Sequence, residues 1–339
     1  MFNFKNDYSE GCHPRILDAL TRTNLEQTVG YGLDEHCTRA ADLIRRAVNC
    51  PQADVHFLVG GTQTNLTAVS AFLRPHHCVL AASTGHVNVH ETGAIEATGH
   101  KVVTRPTPDG KLTPALVQEM VDEHSDEHMV KPGLVYLSQS TELGTVYTKG
   151  ELETIYTCCK DNGLLLYMDG ARLACAVASE ECDVTLSDLP NLCDAFYIGG
   201  TKNGMLFGEA LVIVNDALKP DFRFFIKQRG GMLAKGRLLG IQFEEQFRDD
   251  LYLQLGTHAN AMARQLQDGL IVKGFPMLQH SPTNQLFPIL TPEQYEQFSA
   301  LALFETWSTL PDGRKVIRLV TSWATTQETV LHFLKQIPG

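Results

Sequence analysis

Short apolar runs, each closed by a glycine, a hydroxyl or a carboxylate, recur through the first two thirds of the chain. They read VHFLV, CVLAAS, KVVTR, GLVYLSQ, LLLYM, AFYI and EALVIVN. Because the runs barely alternate with polar residues, they predict strands buried on both faces, as in a mainly parallel sheet. Segments of helical spacing separate them. Arg15–Thr23 and Cys37–Val48 are two such segments, the second closed by a turn at Cys50 and Pro51. A helix through Leu66, Val69 and Phe72 stops before Pro75, and another is expected to carry His90, Glu91, Thr92 and Gly93. Thr113 caps a helix from Pro114 to His124, and Thr148 with Glu151 forms a capping box for a helix that Gly163 ends. Further on, the spacing predicts helices over Leu238–Gly256 and His258–Gly269. The remainder (TNQLFPIL, Glu293–Leu303, FETWST, KVIRLVTSW) mixes short strands with helix. The cadence is that of an α/β protein. Its expected parts are a polar arm over 1–14, a large domain over 15–245 and a small α+β domain over 246–339.

Two of the runs carry chemistry at their ends. LLLYM stops at Asp169 and Gly170, and AFYI runs into Gly199, Gly200, Thr201 and Lys202. If both are parallel strands of one sheet, the acid and the amine share the rim where open α/β sheets bind ligands. Alone, an Asp–Gly at a strand end is an ordinary turn and a lysine an ordinary surface residue. Together and in this order they suit pyridoxal phosphate, whose aldehyde needs an amine and whose ring nitrogen needs a carboxylate. VHFLV runs into Gly60, Gly61 and Thr62 and then a helix, an arrangement that fits a phosphate without being a triphosphate loop, since no GK[ST] follows. VGYGLDEH lacks the third glycine and the preceding strand of a dinucleotide fingerprint. His86 falls just past a strand end, where an imidazole can stack on a cofactor and move protons. Arg318 lies inside an apolar strand-like run and needs an anion there. KQRGGMLAKGR could clamp a phosphate or face another subunit.

Composition narrows the class. With 43% hydrophobic residues, 20% charged residues and a net charge of −11, the chain can bury a large core and has no attraction for nucleic acid or anionic membrane. Nine cysteines without a CxxC spacing fit a reducing compartment and neither a disulfide framework nor a zinc site. His76, His77, His86 and His90 lack partner ligands at matching spacing, so no metal is expected. The N-terminus shows no leader and no stretch is long enough to span a bilayer, so a cytoplasmic enzyme is expected.

From about Asn6 to Trp323 the chain resembles the threonine aldolase family of fold type I pyridoxal-phosphate enzymes. The resemblance rests on the GGT turn, the histidine of GHVNVHETGA, the DGAR tetrapeptide, the lysine of GGTKNG and the arginine of IRLVTSW. The wording is nearest to low-specificity threonine aldolases and phenylserine aldolases. It implies that Lys202 carries the cofactor, Asp169 holds the ring nitrogen and His86 stacks on the ring. It further implies that Gly61 and Thr62 take the phosphate with Arg229 or Lys235 of a neighbouring subunit, and that Arg318, Arg172 and Ser9 bind the substrate carboxylate. Related chains with GGGMR have arginine after the methionine, whereas Leu233 follows Met232 here, so the choice between Arg229 and Lys235 stays open. The implied reaction is retro-aldol cleavage of L-threonine or L-allo-threonine to glycine and an aldehyde. Its base is His86 or a water held by another histidine such as His90. The implied assembly is a homo-oligomer, dimer or tetramer. The runner-up is phenylserine cleavage or another β-eliminating reaction of the same cofactor.

Overall fold

The computed structural model describes residues 1–337. After a two-residue strand β1 (Phe2–Asn3) come β2 (Asp54–Leu58), β3 (His77–Ala82), β4 (Val102–Arg105), β5 (Lys131–Ser138), β6 (Leu165–Asp169), β7 (Ala195–Gly199) and β8 (Glu209–Ile213). Strands β2 to β8 build one seven-stranded sheet in the order β2-β8-β7-β6-β5-β3-β4. Only β8 runs against its neighbours β2 and β7, so β2 points the same way as the parallel set. The C-terminal ends of all the strands but β8 therefore reach one rim.

The apolar runs are continuous because both faces are covered. Val135, Leu137, Leu166, Met168, Phe196 and Ile198 pack into one cluster, together with Cys50, Cys78, Cys159 and Cys193 as small core residues. The alternate positions Leu134, Tyr136, Tyr167, Ala195 and Tyr197 pack into the other. The capping box of Thr148 and Glu151 is formed. Helix Gly61–Phe72 follows β2 directly.

Two expected helices are drawn differently. Instead of breaking near Gly256, the chain breaks at Asp249 and Asp250, the latter with φ 55°, between helices Arg237–Arg248 and Leu251–Val272. The second helix runs through Gly256, where a Cβ would lie 2.5 Å from the Ala174 carbonyl oxygen. Close helix packing, not helix termination, is what this glycine permits.

The C-terminal sheet comprises β9 (Gln285–Leu286), β10 (Ile289–Leu290), β12 (Glu305–Thr309) and β13 (Lys315–Val320), with β13 central. The polar opening of the chain is tied to this part. β1 pairs in parallel with β11 (Ala302–Leu303), and the Phe4 side chain is fully buried among Leu266, Leu286, Phe298, Ile317 and Phe333.

Candidate active site

A cavity of about 770 Å³ opens at the strand rim, between the large sheet and the β12–β13 hairpin. Gly61, Thr62, His86, Asp169, Arg172, Lys202 and Arg318 all line it, so most of the residues singled out in the sequence meet in one place.

Asp169, the last residue of β6, is buried and accepts four hydrogen bonds. Tyr136 Oη (2.5 Å) and Asn65 Nδ2 (3.0 Å) donate to Oδ2, while Tyr197 Oη (2.5 Å) and the Ala171 amide (3.0 Å) donate to Oδ1. Burial alone would push this carboxyl up. The His86 charge, the two phenols and the amide outweigh it and hold Asp169 below its ordinary value, so it stays ionised at neutral pH. The tyrosines arrive by register: Tyr136 stands opposite Tyr167 on β6, and Tyr197 occupies the same face of β7. Tyr167 Oη in turn donates to Asn65 Oδ1 (3.0 Å), which fixes the amide that serves Asp169.

The expected helix carrying His90–Gly93 is a single turn, His86–Val89. Thr92 (φ 53°) and Gly93 (φ 69°) adopt left-handed backbone and end helical continuation there. The buried carboxylate of Glu91 meets His86: Glu91 Oε1 lies 2.7 Å from His86 Nδ1 and accepts from Asn65 Nδ2 at 2.7 Å. Burial pulls His86 down, but Glu91, Glu142 and Asp169 together raise its pKa above the ordinary histidine value. Asn65 thus bridges the carboxylates that serve His86 and the ring-nitrogen position.

Lys202 follows a turn stapled by Gly200 and Thr201 amides, both donating to the Gly208 carbonyl at 3.0 and 3.2 Å. Glu209, pushed up to about 8 by burial, accepts from the Gly200 amide and the Thr201 hydroxyl (3.2 and 3.0 Å) and steadies the same turn. Burial, with Arg172 nearby, pulls the Lys202 amine below its ordinary value against the opposing charges of Asp7, Glu142 and Asp169. Helix Gly61–Phe72 begins in this cavity with no side-chain cap, leaving its first N–H groups and the Thr62 hydroxyl for an anion.

The carboxylate-binding set is divided. Arg318, on β13, is half-buried, and its Nε is buried without a hydrogen-bond partner. Arg172 is committed: its Nε and Nη2 donate to Asp7 at 2.7 and 3.1 Å, and Asn284 Nδ2 joins Asp7 at 2.9 Å. Ser9 lies outside the cavity wall, its hydroxyl donating to Asn6 Oδ1 at 2.9 Å, and Tyr8 lines the cavity instead. Arg229 and Lys235 do not line this chain's cavity. Lys235 is exposed, and Arg229 has its Nε buried and unpartnered beside Gln63, whose amide donates to the Arg229 carbonyl at 3.3 Å.

Asn65, Asp7, Glu91 and Glu142 carry no signal of a site role in the sequence, whereas Tyr136 and Tyr197 leave a trace, each on the same face near the end of its strand. The cavity fits pyridoxal phosphate. An amine, an ionised buried acid, an uncapped helix start and an imidazole line one space, and an arginine with an orphaned Nε faces it.

Comparison with known proteins agrees. Residues 6–291 match the family model described as beta-eliminating lyase. The low specificity L-threonine aldolase of Pseudomonas aeruginosa is 33% identical over 337 residues, covering 98% of this chain and 96% of that one. The enzyme of the same name from a Pseudomonas species is 34% identical over 302 residues, with 88% and 85% covered. The structure of Leishmania major threonine aldolase is 52% identical, covers 99% and 98% of the two chains and superposes with a TM-score of 0.97. Thermus thermophilus aspartate aminotransferase, at 14% identity and a TM-score of 0.73 over 99% and 90%, shares the fold.

Proposed function

The chain belongs to the beta-eliminating lyase family, and on that premise we propose that it is a pyridoxal-phosphate-dependent aldolase. It cleaves β-hydroxy-α-amino acids, L-threonine and L-allo-threonine, to glycine and an aldehyde. The observation that carries this reading is the meeting of Lys202, Asp169, His86 and Arg318 around one cavity. When bound, the cofactor ring supplies the sink for the electron pair released as the Cα–Cβ bond breaks.

The chain's own residues do the rest. We assign Lys202 to the cofactor aldehyde, where its depressed pKa favours the nucleophilic free amine. Asp169, held ionised, would keep the ring nitrogen protonated. His86, oriented through Nδ1 by Glu91, would lie against the ring. Gly61, Thr62 and the helix start would hold the phosphate. Arg318 binds the substrate carboxylate, and Arg172, already paired with Asp7, shapes the wall beside it. The arm 1–14, the cofactor domain 15–245 and the small domain 246–339 all contribute, through Tyr8, Lys202 and Arg318 respectively.

The assembly in this reading is a homo-oligomer, dimer or tetramer, with Arg229 or Lys235 completing a neighbour's phosphate site. The unpartnered Arg229 Nε and the exposed Lys235 support it. Nine free cysteines support a cytoplasmic setting. The test is incubation of purified, cofactor-loaded protein with L-threonine, L-allo-threonine and L-phenylserine. Glycine and the matching aldehyde are expected; ammonia and a 2-oxo acid would identify a β-elimination instead.

A further inference from the structure

Of the carboxylates in the cavity wall, Asp169 is taken up by four donors, Glu209 holds the Lys202 turn, and Glu305 belongs to β12, across the cavity from the large sheet, in register with Arg318 but without an ion pair to it. Glu142 has none of these duties. It is 7% exposed, lines the cavity and follows β5, which lies between β3 and β6. Its loop therefore sits between the one carrying His86 and the strand end carrying Asp169, and the Gln139 amide is hydrogen-bonded to the Asp169 carbonyl at 2.9 Å.

The backbone on both sides of Glu142 is fixed. The Thr141 amide donates to Thr145 O (2.9 Å), the Gly144 amide to Thr141 O (3.0 Å), and Gln285 Nε2 from the small domain also reaches Thr141 O (3.2 Å). Thr283 Oγ1 holds the Gly144 carbonyl at 2.8 Å. A rigid loop thus presents one carboxylate whose charge is felt by Lys202, Arg172, Arg318, His86 and His90. It shares one cavity wall with Lys202 and Arg318, the groups assigned above to the amine end and the carboxylate end of a bound amino acid. The histidines have other places: His86, held through Nδ1 by Glu91, is assigned above to the ring face, and His90 is an exposed residue of the cavity lining.

We propose that Glu142 accepts the proton of the substrate's β-hydroxyl, an inference that rests on the aldolase reading above. The O–H bond breaks toward a Glu142 oxygen, and its electron pair becomes the second C–O bond of the departing aldehyde. The Cα–Cβ bond breaks, leaving its pair with the amino-acid carbon, which a proton then converts to glycine. Glu142 returns its proton to solvent, so one substrate gives glycine and one aldehyde with no oxidant or further reactant.

The experiment compares holoenzyme carrying Glu142→Gln or Glu142→Asp with the unaltered protein in three measurements: aldehyde release from L-threonine, exchange of the glycine Cα proton in deuterium oxide followed by NMR, and glycine affinity by absorbance titration. Glycine has no β-hydroxyl. Glu142→Gln should lose roughly 10²- to 10⁴-fold in kcat/KM for cleavage, the range of a lost general base, while glycine exchange and affinity change by no more than a few-fold. Glu142→Asp should recover part of the cleavage. Undiminished cleavage in Glu142→Gln overturns the proposal. So does a parallel loss of exchange or a tightened glycine affinity without loss of cleavage rate, which would mark a group that only balances Arg318. If the unaltered protein exchanges glycine but cleaves none of the three hydroxy amino acids, the aldolase reading itself has failed.

Discussion

The pair between Asp7 and Arg172 invites the most direct test. Asp7 comes from the arm, Arg172 from the turn after β6 and Asn284 from the residue just before β9, and all three are buried. Asp7→Asn keeps the shape, removes the charge and leaves the guanidinium facing an amide. Breaking a buried pair from one side costs about 3–5 kcal/mol, because the remaining charge is left uncompensated. At about 1.4 kcal/mol per factor of ten, the folded-to-unfolded ratio should fall roughly a hundred- to several-thousand-fold. Urea unfolding followed by circular dichroism, at one protein concentration and with saturating cofactor, measures it. Ser9→Ala, an exposed change in the same arm, should stay within about 0.5 kcal/mol. The pH dependence has a definite sign. Burial raises the Asp7 carboxyl, but Arg172 and Lys202 more than reverse this and hold it below the ordinary 3.8. The pair's contribution is therefore complete above that pH and is lost only as pH falls through the lower, folded value. An Asp7→Asn protein less than 1 kcal/mol weaker than its parent would refute the reasoning.

Three further outcomes follow from the same geometry. Lys202→Ala should abolish aldehyde release, and borohydride treatment of the yellow unaltered protein should leave its pyridoxyl label on the peptide containing Lys202; a label elsewhere sinks the assignment. Glu91→Gln removes the main support of the raised His86 pKa, so NMR titration should find His86 losing its proton at lower pH than in the parent; an unmoved titration would show that Glu91 does not set it. Gly170→Ala puts a Cβ 1.9 Å from the Tyr197 carbonyl oxygen, forcing β6 and β7 apart beside Asp169. It should weaken cofactor binding and lower the unfolding temperature by several degrees, the scale of about 1–3 kcal/mol of overpacking; a protein unchanged in both would contradict the contact.

Local pattern carried much of this fold. Runs such as LLLYM and AFYI read as strands because burial on both faces leaves no alternation, and the closing residues Asp169 and Lys202 reach the rim as parallel strands require. The capping box at Thr148 is purely local and is found as expected. What escaped depends on distant segments. Arg172 reads as a free substrate-binding guanidinium until Asp7, 165 positions earlier, is seen to hold it. Gly256 reads as a helix end until the Ala174 backbone beside it explains the need for a bare Cα. Glu142 reads as a polar loop residue because nothing in its neighbourhood of sequence announces that the chain on either side is clamped.

The placement of β1 bears on how this protein is made. Phe2 and Asn3 pair with Ala302 and Leu303, and Phe4 packs among side chains as late as Phe333. During synthesis on the ribosome residues 2–4 emerge about 300 positions before their strand partners, so the Phe2 and Phe4 side chains stay uncovered until those partners follow. A nascent chain arrested before residue 302 should accordingly be held by chaperones through these two phenylalanines, whereas the chain with its partners in place should release them.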